Sequence, residues 1–572
     1  MASNEATPLP LDGGEAGSGG EGSVGENGAR ETLSFELLAP CLHPHPQPFP
    51  HQGGRGPSRR TLLIAAPALA LTPRPARAVD HPVAPTINGP VRGVRDHGVI
   101  VFKGVRYGAD TGPRRFQPPA RPTPWTRPAD AFIHGPASPQ PGAEPNLSED
   151  CLFLNVWTPG LDDARRPVMV YIHGGAYSTG SGSSPLTDGA RLARRRDVVV
   201  VTLNHRLNLF GYAYLARLGV FPDSGNAGQL DLILALEWVR DSIAAFGGDP
   251  DRVMVFGQSG GGAKIATLMA TPAASGLFHR AATMSGQQVT ASGPLNATTR
   301  TRAWLDALNL TPDRAHEAAA LPVETLLKAA EIRDPVLPYG GLYFGPVLDD
   351  RTVVRHPFHP DAPPQSAGVP MMIGNTHDET LAFLGADPAN FALGWDDLPG
   401  KMTLANMRVD IAPEPVIAEY RRLYPDYSPA QVFFAATTAA RSWRAAIIEA
   451  ELRAQQGSPA FVYQLDWPST LANGYRGAPH MSDIPLAFDN VAAPGSLARG
   501  PTAQAMADRV SAAFAAFAAT GDPNHAGLPR WEPYALPRRQ TMILDDTCRM
   551  QDDPRGGERR LFARVPYVQP GT

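Results

Sequence analysis

The run Val253-Met254-Val255-Phe256-Gly257-Gln258-Ser259-Gly260-Gly261-Gly262 is compatible with few architectures. An apolar strand leads directly into G-x-S-x-G, and a helix-compatible stretch follows from Ala263 to Ala270. Strand, sharp turn and helix in that order make a nucleophile elbow, which pushes the serine oxygen out of the turn. Glycine is needed two residues before and two after Ser259, because a Cβ at either place would collide with the neighbouring strand and helix. The five-residue pattern alone recurs by chance. Its weight here comes from the strand before it and the helix after it.

The surrounding chain repeats that alternation. Pro167 to His173 and Asp197 to Leu203 are continuous apolar runs, as expected of strands buried on both faces of a sheet. Leu230 to Phe246 carries apolar residues at helical spacing and leads through Gly247-Gly248-Asp249-Pro250 into the strand before Ser259. Val91 to Tyr107 reads as a hairpin turning at Asp96-His97-Gly98. No repeat of solenoid period is visible, so one large α/β domain over 79–572 is the simplest organisation. Its sheet is expected to be central, mostly parallel and flanked by helices, with long loop and helical insertions. A composition of 43% hydrophobic and 19% charged residues with net charge −4 gives no basic face for nucleic acid and points to a small-molecule substrate.

The N-terminus differs in character. Residues 1–57 form a low-complexity leader, Gly/Glu/Ser-rich over 11–30 and Pro/His-rich over 44–50, expected to be disordered. In 58–78, Ser58-Arg59-Arg60-Thr61-Leu62-Leu63, the apolar run Ile64 to Leu71 and Ala76-Arg77-Ala78 resemble a twin-arginine export signal with its cleavage site. The apolar run is too short to span a bilayer, so removal and export to the periplasm or the outside, without stable membrane insertion, is the expectation. Cys41 would leave with the leader. The remaining cysteines, Cys151 and Cys548, are expected to be two buried, unpaired thiols.

A serine hydroxyl attacks a carbonyl only when a base takes its proton, and histidine is the usual base. With such an elbow the acid and then the histidine follow the serine along the chain. Among His279, His316, His356, His359, His377, His480 and His525, His480 stands in a turn-rich loop, Gly477 to Pro485, from which an imidazole could reach a site. The acid must orient and stabilise the imidazolium from a strand end. Met371-Met372-Ile373-Gly374-Asn375-Thr376-His377-Asp378-Glu379 offers two, and the pattern does not separate Asp378 from Glu379. Either could equally be a helix-capping carboxylate. The oxyanion formed by attack needs preorganised N–H donors. His173-Gly174-Gly175-Ala176, ending a strand, and Gly260, following the serine, can supply them.

Taken together, the chain resembles the type-B carboxylesterase and cholinesterase-like family of α/β-hydrolases, including bacterial para-nitrobenzyl esterases. The resemblance spans about Val91 to the C-terminus. It rests on Phe102-Lys103-Gly104-Val105-Arg106-Tyr107, Arg115-Phe116-Gln117-Pro118-Pro119, Ser148 to Val156, Thr202 to Leu207, Gly225 to Asp231, Ala245 to Pro250 and Gly276 to Ala281, in the family's order. It implies an α/β-hydrolase fold and a carboxylic ester hydrolase with Ser259 as nucleophile, Glu379 as acid and His480 as base. It further implies Gly175, Ala176 and Gly260 as oxyanion donors, with Gly174 giving the turn its freedom and Ser285 supporting the triad. No cofactor or metal is required, and the partner is a small-molecule ester.

Departures from the family pattern are Gln258 where relatives carry glutamate, and Gly260 where they carry alanine, implying more backbone freedom. The family's first disulfide has no partner for Cys151. Rival readings are a non-catalytic binding module, against which the retained serine and histidine stand, or the same triad acting on lactones, carbamates or amides. Acyl and alcohol preference lies in loops such as 177–184 and 381–401.

Overall fold

Alternate residues of each central strand are apolar on both sides, and each side finds its own core. In β4 (Arg166–Ile172), Val168, Val170 and Ile172 join one apolar cluster while Met169 and Tyr171 join another. In β5 (Val199–Leu203) the same split puts Val199, Val201 and Leu203 on one face and Val200 on the other. Burying each such side chain stabilises the fold by about 1.5–3 kcal/mol. A computed structural model describes residues 81–471 and 473–569. The expected leader 1–57, the export signal 58–78 and Cys41 lie outside the described residues.

The main sheet has eleven strands. In chain order the others are β1 (Val94–Asp96), β2 (Val99–Arg106), β3 (Phe153–Thr158), β6 (Gly248–Gln258), β7 (Arg280–Met284), β8 (Met371–Thr376), β9 (Ala460–Leu465), β10 (Gln540–Leu544) and β11 (Arg549–Asp552). They lie in the order β11-β10-β9-β8-β7-β6-β4-β5-β3-β2-β1. The stretch β10-β9-β8-β7-β6-β4-β5 is parallel throughout, and the strands outside it pair antiparallel. Parallel strands bring the segments that follow their C-terminal ends to one edge, which is where ligands bind in such sheets. The segments after β4, β6, β8 and β9 carry the residues singled out in the sequence.

Local details follow the expected chemistry. The hairpin closes between β1 and β2, with His97 at φ 46° and Gly98 at φ 88°, the doubly left-handed turn that matches strand twist. The helix expected over 230–246 is α1 (Ala227–Ser242) followed by a 3₁₀ turn, Ile243–Phe246, and closed by Gly247 at φ 74°. The helix after the serine, α2, runs Gly260–Met269 and so begins three residues earlier than expected, with three glycines in its first turn. Close packing overrides their poor helix propensity there. The segment 381–401, expected as loop, contains the helical turns Leu381–Leu384, Pro388–Phe391 and Leu398–Lys401. Their apolar side chains pack with α3 (Pro429–Thr438) in a cluster of their own. A π-helical turn, Ala439–Trp443, joins α3 to α4 (Arg444–Gln456).

Both thiols are free, and Cys151 is buried as expected. Cys548 is only half-buried, because it sits at a sheet edge and donates to the Asp545 carbonyl at 3.2 Å.

Candidate active site

Ser259 joins β6 to α2 at φ 56° and ψ −127°, a backbone state that L residues other than glycine rarely hold. Its N–H donates to the Met284 carbonyl at 2.8 Å, fixing the elbow to β7. The glycines around it leave room for backbone. A Cβ on Gly257 would stand 2.7 Å from the Ile172 oxygen, and one on Gly261 would run into that same oxygen. At Gly260 a Cβ would overlap the Ala176 carbonyl. The freedom that the alanine-to-glycine departure implied is therefore not its use here: α2 and the 174–176 segment are too close for a side chain. Gly174 likewise serves by space rather than by freedom, lying 2.9 Å by its absent Cβ from the Gln258 oxygen. Within 174–176 it is Gly175, at φ 81°, and Ala176, at φ 52°, that take left-handed conformations.

His480 is buried, and its Nδ1 is hydrogen-bonded to Glu379 Oε2. The other Glu379 oxygen accepts from Thr376 N at 2.8 Å and Asn375 Nδ2 at 3.1 Å. A carboxylate so held fixes the imidazole ring. Nδ1 then carries the proton, and Nε2 is left as an acceptor. Gln258 Nε2 meets it at 2.9 Å. That contact was invisible in the sequence, where Gln258 registered only as a missing charge. Asp378 faces elsewhere. It pairs with His377 at 2.8 Å and accepts from Ala478 N at 3.0 Å, and its own N–H donates to the Ala478 oxygen at 3.0 Å. It thus ties down the loop that carries His480. Burial opposes charge on His377, but Asp378 and Asp466 outweigh it and raise the imidazole to about 9. Burial, then the charge of Glu379, lifts the nearby Asp483 carboxyl to about 6.

The N–H groups of Gly175, Ala176 and Gly260 come from the two abutting segments, and among the described residues none donates to a side chain or to a backbone oxygen outside its helix. Behind them stands Lys264, fully buried on α2, whose Nζ donates to the His173 oxygen at 3.0 Å and lies 5.5 Å from the Tyr177 ring centre. Burial pulls this amine down to about 7. Sequence reading passed over it, although a lysine between Ala263 and Ile265 in an otherwise apolar helix was the available signal. His173 stacks on His205 with ring centres 4.8 Å apart, and burial followed by Lys264 lowers it to about 3. Both rings are therefore neutral. Ser285 Oγ is buried and makes no hydrogen bond to any described residue, while Ser285 N donates to the Gly374 oxygen at 2.7 Å. That bond ties Ser285 to β8 rather than to the elbow.

Among the described residues no group of three or more His, Cys, Asp or Glu is arranged to hold a metal, and no helix is long and apolar enough to cross a membrane.

Residues 80–561 match the model of the carboxylesterase family. The para-nitrobenzyl esterase of Bacillus subtilis (strain 168) is 34% identical over 498 residues, which is 84% of this chain and 99% of that protein. The phenmedipham hydrolase of Pseudarthrobacter oxydans is 32% identical over 503 residues, covering 82% and 96% of the two chains. Among solved structures, the Geobacillus stearothermophilus carboxylesterase EST55 superposes with a TM-score of 0.75 at 36% identity, over 84% of this chain and 99% of that one. Elbow, sheet order and full-length similarity agree, and the chain belongs to the carboxylesterase family of ester hydrolases with the α/β-hydrolase fold.

Proposed function

We propose that this carboxylic ester hydrolase works through an acyl-enzyme on Ser259, with His480 as base and then acid and Glu379 as its orienting carboxylate. The observation that carries this is the buried Glu379–His480 pair, whose Nε2 is hydrogen-bonded to Gln258, the residue preceding a strained serine. Ser259 Oγ attacks the ester carbonyl carbon as its proton passes to His480 Nε2. The oxyanion is met by the N–H groups of Gly175, Ala176 and Gly260. The tetrahedral intermediate expels the alcohol, which takes the proton from Nε2 and leaves the acyl group on Oγ. Water then attacks that carbonyl, giving its proton to Nε2, and Oγ departs with the proton returned. For this to run, the Gln258 carboxamide must yield Nε2 to Ser259.

A fluorophosphonate should label Ser259 covalently. Ser259→Ala should hydrolyse para-nitrophenyl acetate at least about a thousandfold more slowly. A folded Ser259→Ala protein with undiminished turnover overturns the assignment.

The proposal extends to the destination of the protein. The twin-arginine pattern at 58–78 supports export without stable membrane insertion, and the net charge of −4 supports a small-molecule rather than nucleic-acid partner. Mature protein beginning at Val79 is the expected product, and an exported form that starts far upstream counts against cleavage.

A further inference from the structure

Beside the catalytic histidine lies a positively charged group of side chains that the ester-cleaving machinery does not use. Phe383, on the helical turn Leu381–Leu384, lies with its ring centre 4.9 Å from that of His480 and is 43% exposed. On it rests the guanidinium of Arg441, 5.4 Å from the ring centre. Arg441 comes from the π-helical turn Ala439–Trp443, a distortion that is uncommon and recurs at functional sites. Arg441 also feels the charge of Arg408, whose guanidinium stacks 4.0 Å over the Tyr339 ring.

Among the described residues neither side chain has a carboxylate partner or a hydrogen bond, although both are half-buried. The fully buried Arg206 and Arg555 pair with Asp231 and Glu558, and Arg280, Arg444 and Arg453, which have no carboxylate partner among the described residues, donate to backbone carbonyls; the guanidinium groups of Arg408 and Arg441 do neither. The charged and titratable groups felt by Arg441 are Arg408 and Tyr339, and burial followed by Arg408 brings its pKa down to about 10. Two like charges partly withdrawn from water without a counter-charge are costly. A bound anion removes that cost, and the planar guanidinium is the side chain best shaped to receive a carboxylate.

We propose that Arg408 and Arg441 form an anion subsite of the active site, and that the enzyme's preferred substrates are esters carrying a carboxylate. This rests on the esterase assignment to Ser259 and His480 and adds the substrate class. The 4.9 Å and 5.4 Å separations through Phe383 set the reach. The carboxylate lies several bonds from the scissile carbonyl, with the exposed Phe383 ring covering the apolar stretch between them. Such a compound is a half-ester of a dicarboxylic acid, with the anion on the acyl side, or an ester of a hydroxy acid, with the anion on the alcohol side.

Matched pairs of esters test this. On the acyl side, the mono-para-nitrophenyl ester of adipic acid is compared with para-nitrophenyl hexanoate. On the alcohol side, para-acetoxybenzoate is compared with para-acetoxybenzamide. The wild-type enzyme should show a kcat/KM ratio of charged to neutral ester of roughly ten or more on one side, falling as salt is raised. Arg441→Gln and Arg408→Gln should each lower that ratio by about tenfold, through KM more than kcat. The wild-type ratio and its salt dependence stand as a test even where a variant fails to fold. Neutral esters cleaved as fast as charged ones on both sides, or ratios unmoved in the two variants, overturn the subsite and leave the esterase assignment intact. Failure to cleave any of the four esters overturns the esterase assignment and the subsite with it.

Discussion

At the scale of single residues, Ser259 pays a conformational cost for its chemistry. Its φ of 56° and ψ of −127° mirror a comfortable extended state, so glycine holds them without strain whereas a Cβ does not. Such a residue stores on the order of 1–3 kcal/mol. Ser259→Ala keeps the strain and removes the proposed nucleophile, while Ser259→Gly removes both. Subtracting the greater freedom of glycine in the unfolded chain leaves Ser259→Gly about 1 kcal/mol more stable than Ser259→Ala. Urea unfolding of the two inactive proteins measures that difference. A Ser259→Gly protein less stable than Ser259→Ala would show that the elbow is unstrained.

At the scale of elements, the loop carrying His480 is held by Asp378 as well as by Glu379. Asp378 accepts from Ala478 N and pairs with His377, whose imidazole it helps raise to about 9. In the unfolded chain that histidine titrates near 6.5. The stabilisation it gives is therefore complete below about 6.5 and is lost as the pH rises through about 9. Asp378→Asn should narrow its Tm deficit to wild type across that window, and should lower kcat about tenfold with KM little changed as the His480 loop loosens. Thermal melts from pH 6 to 10 with parallel kinetics decide, and a deficit that stays constant across the range refutes the pairing. Which of the two carboxylates reaches the histidine was not legible in the residue pattern, because Asp378 and Glu379 follow the same strand and differ only in where the turn aims them. The family resemblance favoured Glu379 on grounds of motif position. Strands such as Val199–Leu203 were legible because burial on both faces writes itself as an unbroken apolar run. The helical turns of 381–401 were not, since each is shorter than the window over which helical periodicity shows. Contacts such as Gln258 with His480, or Arg441 with Phe383, join segments distant in the chain and leave no local pattern.

At the scale of the whole molecule, two buried ionisable groups outside the triad pull stability in opposite directions with pH. Lys264, brought to about 7 by burial, is neutral in the fold and charged in the unfolded chain between pH 7 and its ordinary range, so its contribution rises with pH there. Glu449 on α4 behaves in reverse. Burial raises its carboxyl to about 8; one oxygen accepts from Gln288 N at 2.9 Å, and the other has no hydrogen-bond partner among the described residues. Unfolded, it titrates near 4.3. Between those values the fold holds a proton that the unfolded chain has released, so stability falls as pH rises, and above about 8 a bare buried carboxylate remains. Glu449→Gln keeps the acceptor and abolishes the titration. The two proteins should differ least near pH 5, and the variant should gain on the order of 4 kcal/mol by pH 9. Because Lys264 is present in both proteins, its opposing trend cancels in the difference, and unfolding followed at matched ionic strength isolates Glu449. A difference that does not grow with pH would mean that the carboxylate is neutralised by a cation or by water within the fold.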